Sequence, residues 1–150
     1  MIQPQQARAR RFAACVATVL ACGACAAPSP CAVPTLYHRM GGEPVVRRVV
    51  DDVIDRTAAD PRTGRSFKDV KMARLKEKLR EQICNVAGGG CAYTGDPMLE
   101  VHKGLKVTEA EFSLMVQFLR EALERFGVHE AEKNELLRLL GPMKRDIVKG

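Results

Sequence analysis

Residues 93–104, with the sequence Tyr-Thr-Gly-Asp-Pro-Met-Leu-Glu-Val-His-Lys-Gly, hold the pattern that decides how this chain is interpreted. The segment after the first glycine can form a short helix over residues 97–103, which Gly104 then closes. His102 lies near the end of this helix, beside the apolar residues Met98 and Val101. The stretch therefore predicts a histidine that a short helix presents to an apolar surface.

His102 has two interpretations. It is either a core histidine whose two ring nitrogens are both hydrogen-bonded, or an axial ligand of haem iron. A ligand needs one free imidazole nitrogen, while a backbone carbonyl holds the N–H of the other, and it needs a slot of apolar side chains for the porphyrin. The other two histidines, His38 and His129, fall at a first turn and at a corner between helices, where solvated or capping roles are expected.

Four longer segments around this stretch have the apolar spacing of helices. They cover residues 43–58, 71–86, 108–126 and 130–148. Gly141-Pro142 is expected to kink the last of them. Because no segment longer than four residues alternates in the manner of a β-strand, we predict one all-α domain over residues 35–150.

The charge of the chain does not indicate a nucleic-acid partner. The formal charge is +6, but Arg8, Arg10 and Arg11 lie in the first 21 residues without any acid, and without them the balance falls to +3. Only 5% of the residues are aromatic and none is Trp, so the row of stacking side chains that single-strand binders use is missing. We therefore expect no nucleic-acid binding.

The first 21 residues are predicted to be a secretory signal, because a basic segment precedes an apolar run from Phe12 to Ala21. Val19-Leu20-Ala21-Cys22 resembles a bacterial lipobox, which predicts Cys22 as a lipidated N-terminus on a Pro-rich tether over residues 22–34. Plain cleavage near residues 24–27 and an uncleaved anchor remain as alternatives, and Cys25 offers a weaker lipidation site. Both kinds of cleavage predict a domain outside the cytoplasm, as a periplasmic or membrane-anchored protein.

Cys84 and Cys91 are the two cysteines within the predicted domain. In an oxidising compartment, two cysteines seven residues apart suggest a disulfide, and the alternative is a pair of free thiols. A zinc site is not expected, since two cysteines without neighbouring ligands do not complete a tetrahedron.

The ordered set of these motifs resembles the group 1 truncated haemoglobins, the short globins with a two-over-two helical sandwich. The resemblance covers residues 36–148, and its matching positions follow one another without gaps. They are Gly41-Gly42, Asp60-Pro61, Phe67, Met72-Ala73-Arg74-Leu75, Gly88-Gly89, Tyr93-Thr94-Gly95, Met98, His102, Val107-Thr108, Phe112 and Gly141-Pro142. The resemblance implies haem b, with His102 as the proximal iron ligand.

The resemblance also implies which residues form the haem slot, although ordinary core packing is the alternative for each of them. The implied cofactor-binding residues are Phe67, Leu75, Lys78, Leu79, Ile83, Tyr93, Met98, Val101, Val107, Phe112, Met115 and Leu140.

The chain departs from this family on the distal side. Ile54 stands where the family usually has a tyrosine that hydrogen-bonds bound dioxygen, and Leu79 stands where it often has a glutamine. Since such a hydrogen bond is worth about 1–3 kcal/mol, its loss predicts faster release of dioxygen and easier oxidation of the iron. Carbon monoxide, a neutral ligand, should be affected less.

Lys78 and Gln82 are the polar residues closest to this distal position on the same helix. Lys78 is a possible distal ligand, because some family members supply a His or Lys there; the alternative is an ion pair with a haem propionate. Gln82, one turn further on, is expected to face outward.

The function that these residues predict is that of a haem globin outside the cytoplasm, which binds diatomic gases or takes part in redox chemistry. An unidentified reductase and a membrane, reached through the lipid anchor, are its expected partners. The alternative is a haem-free helical interaction module with a globin fold. Nitric-oxide dioxygenase or peroxidase activity is disfavoured, because such reactions need polar distal acid or base groups.

Overall fold

The structure, a computed structural model, describes residues 33–149, which form seven α-helices and two 3-10 turns. The predicted signal segment, Cys22 and nearly all of the tether lie outside the described residues. The helices are α1 (Leu36–Arg39), α2 (Gly42–Ala59), α3 (Met72–Val86), α4 (Met98–Val101), α5 (Glu109–Arg125), α6 (Glu130–Leu140) and α7 (Lys144–Ile147), and the 3-10 turns are Gly64–Phe67 and Gly141–Met143.

The predicted all-α class is confirmed. Residues 33–149 contain no β-strand, and their isolated β contact is a parallel bridge between Val107 and Val148. The expected kink is also present, because the last predicted helix is divided into α6, a 3-10 turn and α7. Pro142 lies in that turn, where a residue without an N–H interrupts the hydrogen bonds of a helix.

The core is built on the valines of α2. Val46, Val49, Val50 and Val53 recur at helical spacing and are almost fully buried, so one face of α2 packs against α3 and α5. Burial of each such side chain contributes roughly 1.5–3 kcal/mol. Burial of the four valines therefore stabilises the packing of α2 against both α3 and α5.

A disulfide closes the corner after α3. Cys84 and Cys91 are bonded, with their Cα atoms 5.7 Å apart. Gly89 lies inside the closed loop, and a Cβ atom there would come within 2.6 Å of the Cys84 sulfur and 2.7 Å of the Tyr37 ring. The backbone N–H of Tyr37 donates to the carbonyl of Ala87 at 2.9 Å. The end of α3 is thus fixed both by the disulfide and by α1.

Within the described part of the chain, no helix has both the length and the apolar character needed to cross a membrane.

Candidate functional site

His102 follows the last residue of α4 and is half-buried. Its Nδ1 lies 2.8 Å from the carbonyl oxygen of Met98. Because a carbonyl oxygen only accepts hydrogen bonds, Nδ1 carries the hydrogen in this contact, and Nε2 is the ring nitrogen that the contact does not use. The local fold therefore presents an imidazole whose orientation is fixed by one backbone hydrogen bond and whose Nε2 is the nitrogen suited to bind a metal.

The segment after His102 is held from two sides. The guanidinium of Arg65 donates to the carbonyls of Leu105 and Lys106 at 3.0 and 2.9 Å. On the other side, the N–H of Lys149 donates to the carbonyl of Val107 at 3.0 Å. Both contacts restrict the chain that leads from His102 into α5, so the imidazole is positioned by the tertiary structure and not by α4 alone.

Most of the predicted slot residues are half-buried apolar side chains, although they come from distant parts of the sequence. These side chains are only partly buried, unlike those of the core. A flat hydrophobic group bound against them would complete their burial. This half-buried set consists of Phe67, Leu75, Leu79, Met98, Val107, Phe112, Met115 and Leu140.

Besides Lys78, three predicted slot residues lie outside this set. Ile83 is 1% exposed and belongs to the hydrophobic core beside Val46 and Leu136, so in this structure its surroundings are those of a core residue. Val101 is 43% exposed. Tyr93 is half-buried, and its hydroxyl donates to the carbonyl of Asp96 at 2.9 Å. Burial, assisted by nearby acidic groups, raises the pKa of Tyr93 above its usual value.

Ile54 lies on α2 and is 1% exposed. It is part of the hydrophobic core, together with Val50 and Val53. Its side chain has no hydrogen-bond donor, so α2 supplies no polar group at the position where the family resemblance implies a tyrosine.

Lys78 lies in a hydrogen-bonded cluster that the sequence did not predict. Its ammonium donates to Glu81 at 2.8 Å and to the Thr94 hydroxyl at 2.6 Å. Glu81 also accepts from the N–H and the hydroxyl of Thr94, at 3.0 and 2.9 Å. The Lys78 ammonium, followed by these two donors, lowers the pKa of Glu81 to about 2. The cluster ties α3 to the loop that leads to His102.

Gln82 does not face outward, so that expectation was wrong. The residue is 9% exposed, and its amide Nε2 lies 3.6 Å from the sulfur of Met143. Gln82 is seven residues after Leu75 and three after Leu79, which places it on the same face of α3. This spacing was visible in the sequence, and the polarity of the side chain was the only reason to expect an exposed position.

A helical fold in which a short helix presents a histidine beside half-buried apolar side chains has the features of a globin. Comparison with known proteins supports this class, since residues 35–149 match the bacterial-like globin family. The chain is 34% identical over 116 residues to a group 1 truncated haemoglobin of Mycolicibacterium paratuberculosis, which covers 77% of this chain and 85% of that protein. The chain therefore belongs to the bacterial-like globin family, as a group 1 truncated globin.

Solved structures agree with this assignment. The Fe(III) form of a truncated haemoglobin from Tetrahymena pyriformis has a TM-score of 0.73 and 26% identity, over 78% of this chain and all (100%) of that one. A 2/2 haemoglobin from Synechococcus has a TM-score of 0.71 at 22% identity, over 77% of this chain and 98% of that one, and so supports the fold alone. The predicted two-over-two helical fold is thus confirmed.

Membership of this family implies a haem cofactor, and the residues of the site fit such a group. Haem needs a neutral imidazole nitrogen for its iron and apolar surfaces for its faces. His102 offers the nitrogen, and the half-buried set offers the surfaces.

Proposed function

We propose that this globin binds haem b on His102 and holds a diatomic gas or exchanges electrons there. The observation that carries the proposal is the 2.8 Å contact between His102 Nδ1 and the Met98 carbonyl. This contact occupies Nδ1, so Nε2 is the ring nitrogen that would bind the iron of a haem. Bound haem would supply an iron atom with one position for a gas ligand.

The residues of this chain would then divide into two groups. On the proximal side, Met98 orients His102, and Arg65 fixes the segment that follows it. On the other side, where the family resemblance places Ile54, Leu75 and Leu79, the side chains are all aliphatic. Such a surface excludes water but offers no hydrogen bond to a polar ligand. We infer that carbon monoxide is held well relative to dioxygen, and that a reductase is needed to keep the iron reduced.

The absorption spectrum of the full-length chain, produced with haem available, tests this proposal. The oxidised, dithionite-reduced and carbon-monoxide forms of the wild type are compared with those of His102→Ala. We expect a Soret band that is lost or strongly altered in His102→Ala. The matched control is His129→Ala, because His129 is an exposed residue at the start of α6, and its spectrum should equal that of the wild type. A folded wild type without a Soret band would favour the haem-free interaction module.

We also propose that the domain works outside the cytoplasm, attached to a membrane through a lipid on Cys22. Two observations support this compartment: the signal-like N-terminal sequence and the disulfide between Cys84 and Cys91, because disulfides persist in oxidising compartments. Incorporation of a labelled fatty acid in cells measures lipidation directly. Cys22→Ala should abolish the label, whereas Cys25→Ala should retain it; label retained by Cys22→Ala contradicts the anchor.

A further inference from the structure

The disulfide between Cys84 and Cys91 joins two segments of the candidate haem site. Cys84 lies near the end of α3, the helix that supplies two leucines of the half-buried set. Cys91 begins the loop over residues 91–97, which carries Tyr93 and leads through α4 to His102. The bridge therefore fixes the position of this loop relative to α3.

Hydrogen bonds hold the same two segments together beside the disulfide. The N–H and hydroxyl of Thr94 donate to Glu81, which lies one turn before Cys84 on α3. The side-chain amide of Asn85 donates to the Cys91 carbonyl at 2.9 Å. Because all three hydrogen bonds are exposed to solvent, they hold the loop less firmly than the covalent bond does. Reduction of the disulfide should therefore loosen the loop without detaching it.

The two cysteines of the bridge differ in exposure. Cys84 is 2% exposed, whereas Cys91 is an exposed residue at the start of the loop. A thiolate in solution can therefore approach the bridge from the Cys91 side while the rest of the protein covers Cys84. Exposed disulfides exchange with thiols more readily than buried ones. This geometry allows the bridge to be reduced while the domain stays folded.

We propose that this disulfide is a thiol-exchange site, at which a dithiol such as that of a disulfide oxidoreductase controls how firmly the protein retains haem. A thiolate of the dithiol attacks the Cys91 sulfur, the bond between the two cysteines breaks, and Cys84 leaves as a thiolate that takes up a proton. The second thiol of the dithiol then attacks the mixed disulfide and releases Cys91. Two electrons thus pass to the protein, and the dithiol becomes a disulfide.

The effect on haem follows from the position of the loop, and it rests on the proposed haem function. His102 directly follows α4, and α4 begins directly after the loop that the bridge holds. Local opening of this segment separates the histidine from the apolar surfaces of α3, and a segment with fewer constraints opens more often. The reduced protein should therefore lose haem faster than the oxidised protein.

Transfer of ferric haem from the full-length protein to excess apomyoglobin measures this loss, as followed in the Soret region. Treatment with dithiothreitol should accelerate the transfer from the wild type about tenfold, which corresponds to about 1.4 kcal/mol. Cys91→Ser should lose haem at the rate of the reduced wild type, and dithiothreitol should not change that rate. Alkylation followed by mass spectrometry determines whether the bridge is open in each sample.

The matched control is Phe118→Leu, which destabilises the fold at a distance from the bridge. Phe118 is buried on α5 beside Arg56 of α2 and belongs to neither of the joined segments. Its variant should have a lower urea midpoint but the wild-type rate of haem loss. An equal acceleration in Phe118→Leu would show a general effect of stability and would refute the proposal.

Two other results would also overturn the proposal. One is a bridge that excess dithiothreitol does not open in the folded protein, and the other is an equal rate of haem loss from the oxidised and reduced wild type. A wild type without a Soret band would instead refute the proposed haem function, so the two failures are distinguishable.

Discussion

The ammonium of Lys78 lies 2.8 Å from the carboxylate of Glu81, one turn further along α3. The Thr94 hydroxyl contacts both groups, at 2.6 Å from the ammonium and 2.9 Å from the carboxylate. Each member of this cluster therefore has two partners, and the lysine is held by the polypeptide itself. A lysine must give up such contacts, and a proton, before it can bind iron.

We accordingly expect the oxidised wild-type protein to lack a lysine ligand, and Glu81→Gln to acquire one. The substitution removes the negative charge that holds the ammonium, so Lys78 becomes free to reach the iron. The measurement is the ferric absorption spectrum at mildly alkaline pH, in which lysine ligation produces a low-spin form. Lys78→Met added to Glu81→Gln should abolish that form.

The matched control for this prediction is Glu77→Gln. Glu77 is also adjacent to Lys78, but its carboxylate is 62% exposed and 3.9 Å from the ammonium. Loss of the Glu77 negative charge should leave the ferric spectrum unchanged. A low-spin spectrum already present in the wild type would contradict the inference that Glu81 retains the lysine.

The disulfide should stabilise the domain by about 2 kcal/mol, as expected for a bridge that closes a short loop. Cys91→Ser removes the bridge and leaves the buried Cys84 in place, so little else in the core changes. Urea unfolding of the wild type and Cys91→Ser measures the difference. Addition of a reductant should lower the wild-type midpoint to that of the variant, and it should not affect the variant. Equal midpoints without reductant would show that the bridge contributes nothing to stability.

The start of α5 should make the stability of the fold depend on pH. Glu111 accepts from Arg65 at 2.6 Å and from the N–H and hydroxyl of Thr108 at 2.8 Å each. The Arg65 guanidinium, together with these donors, lowers the pKa of Glu111 to about 2. A carboxylate with a lowered pKa stabilises the folded state above its unfolded pKa, and that contribution disappears as the pH falls through the folded value.

Stability that depends on Glu111 should therefore be lost between about pH 5 and pH 2. Glu111→Gln should lower the urea midpoint at pH 6 and flatten its decline in acid. Glu124→Gln, which removes an exposed carboxylate from the same helix, is the control and should retain the acid dependence of the wild type. If the urea midpoint of Glu111→Gln falls in acid as much as that of the wild type, Glu111 is not the source of the pH dependence.

The fold could be predicted from the sequence because local signals and packing agree. The α2 valines have helical spacing, glycines and Pro142 mark the ends of helices, and each of these local rules acts within a few residues. The same local pattern drew attention to His102, since the short helix and its apolar neighbours are contiguous, but only the family resemblance made it the expected iron ligand.

The distal side of the site was less predictable, because it depends on contacts between distant segments. Thr94 reaches Glu81 across 13 residues, and Gln82 meets Met143 across 61. No periodicity within α3 reveals either contact. Polarity alone suggested an exposed Gln82, and that rule fails here because the residue has the same helical spacing as Leu75 and Leu79.

Restoring a hydroxyl at position 54 provides the most direct test of the aliphatic distal surface. Ile54 is 1% exposed, so both tyrosine and phenylalanine would overfill its space, at a cost of about 1–3 kcal/mol each. The two variants differ only in the hydroxyl, and their comparison cancels the effect of size. If this position faces the gas ligand, as the family resemblance implies, Ile54→Tyr should release dioxygen roughly tenfold more slowly than Ile54→Phe, which corresponds to one added hydrogen bond. Stopped-flow measurement of dioxygen release gives both rates. Equal rates would show that a hydroxyl at position 54 does not reach the gas ligand and that this position belongs to the hydrophobic core alone.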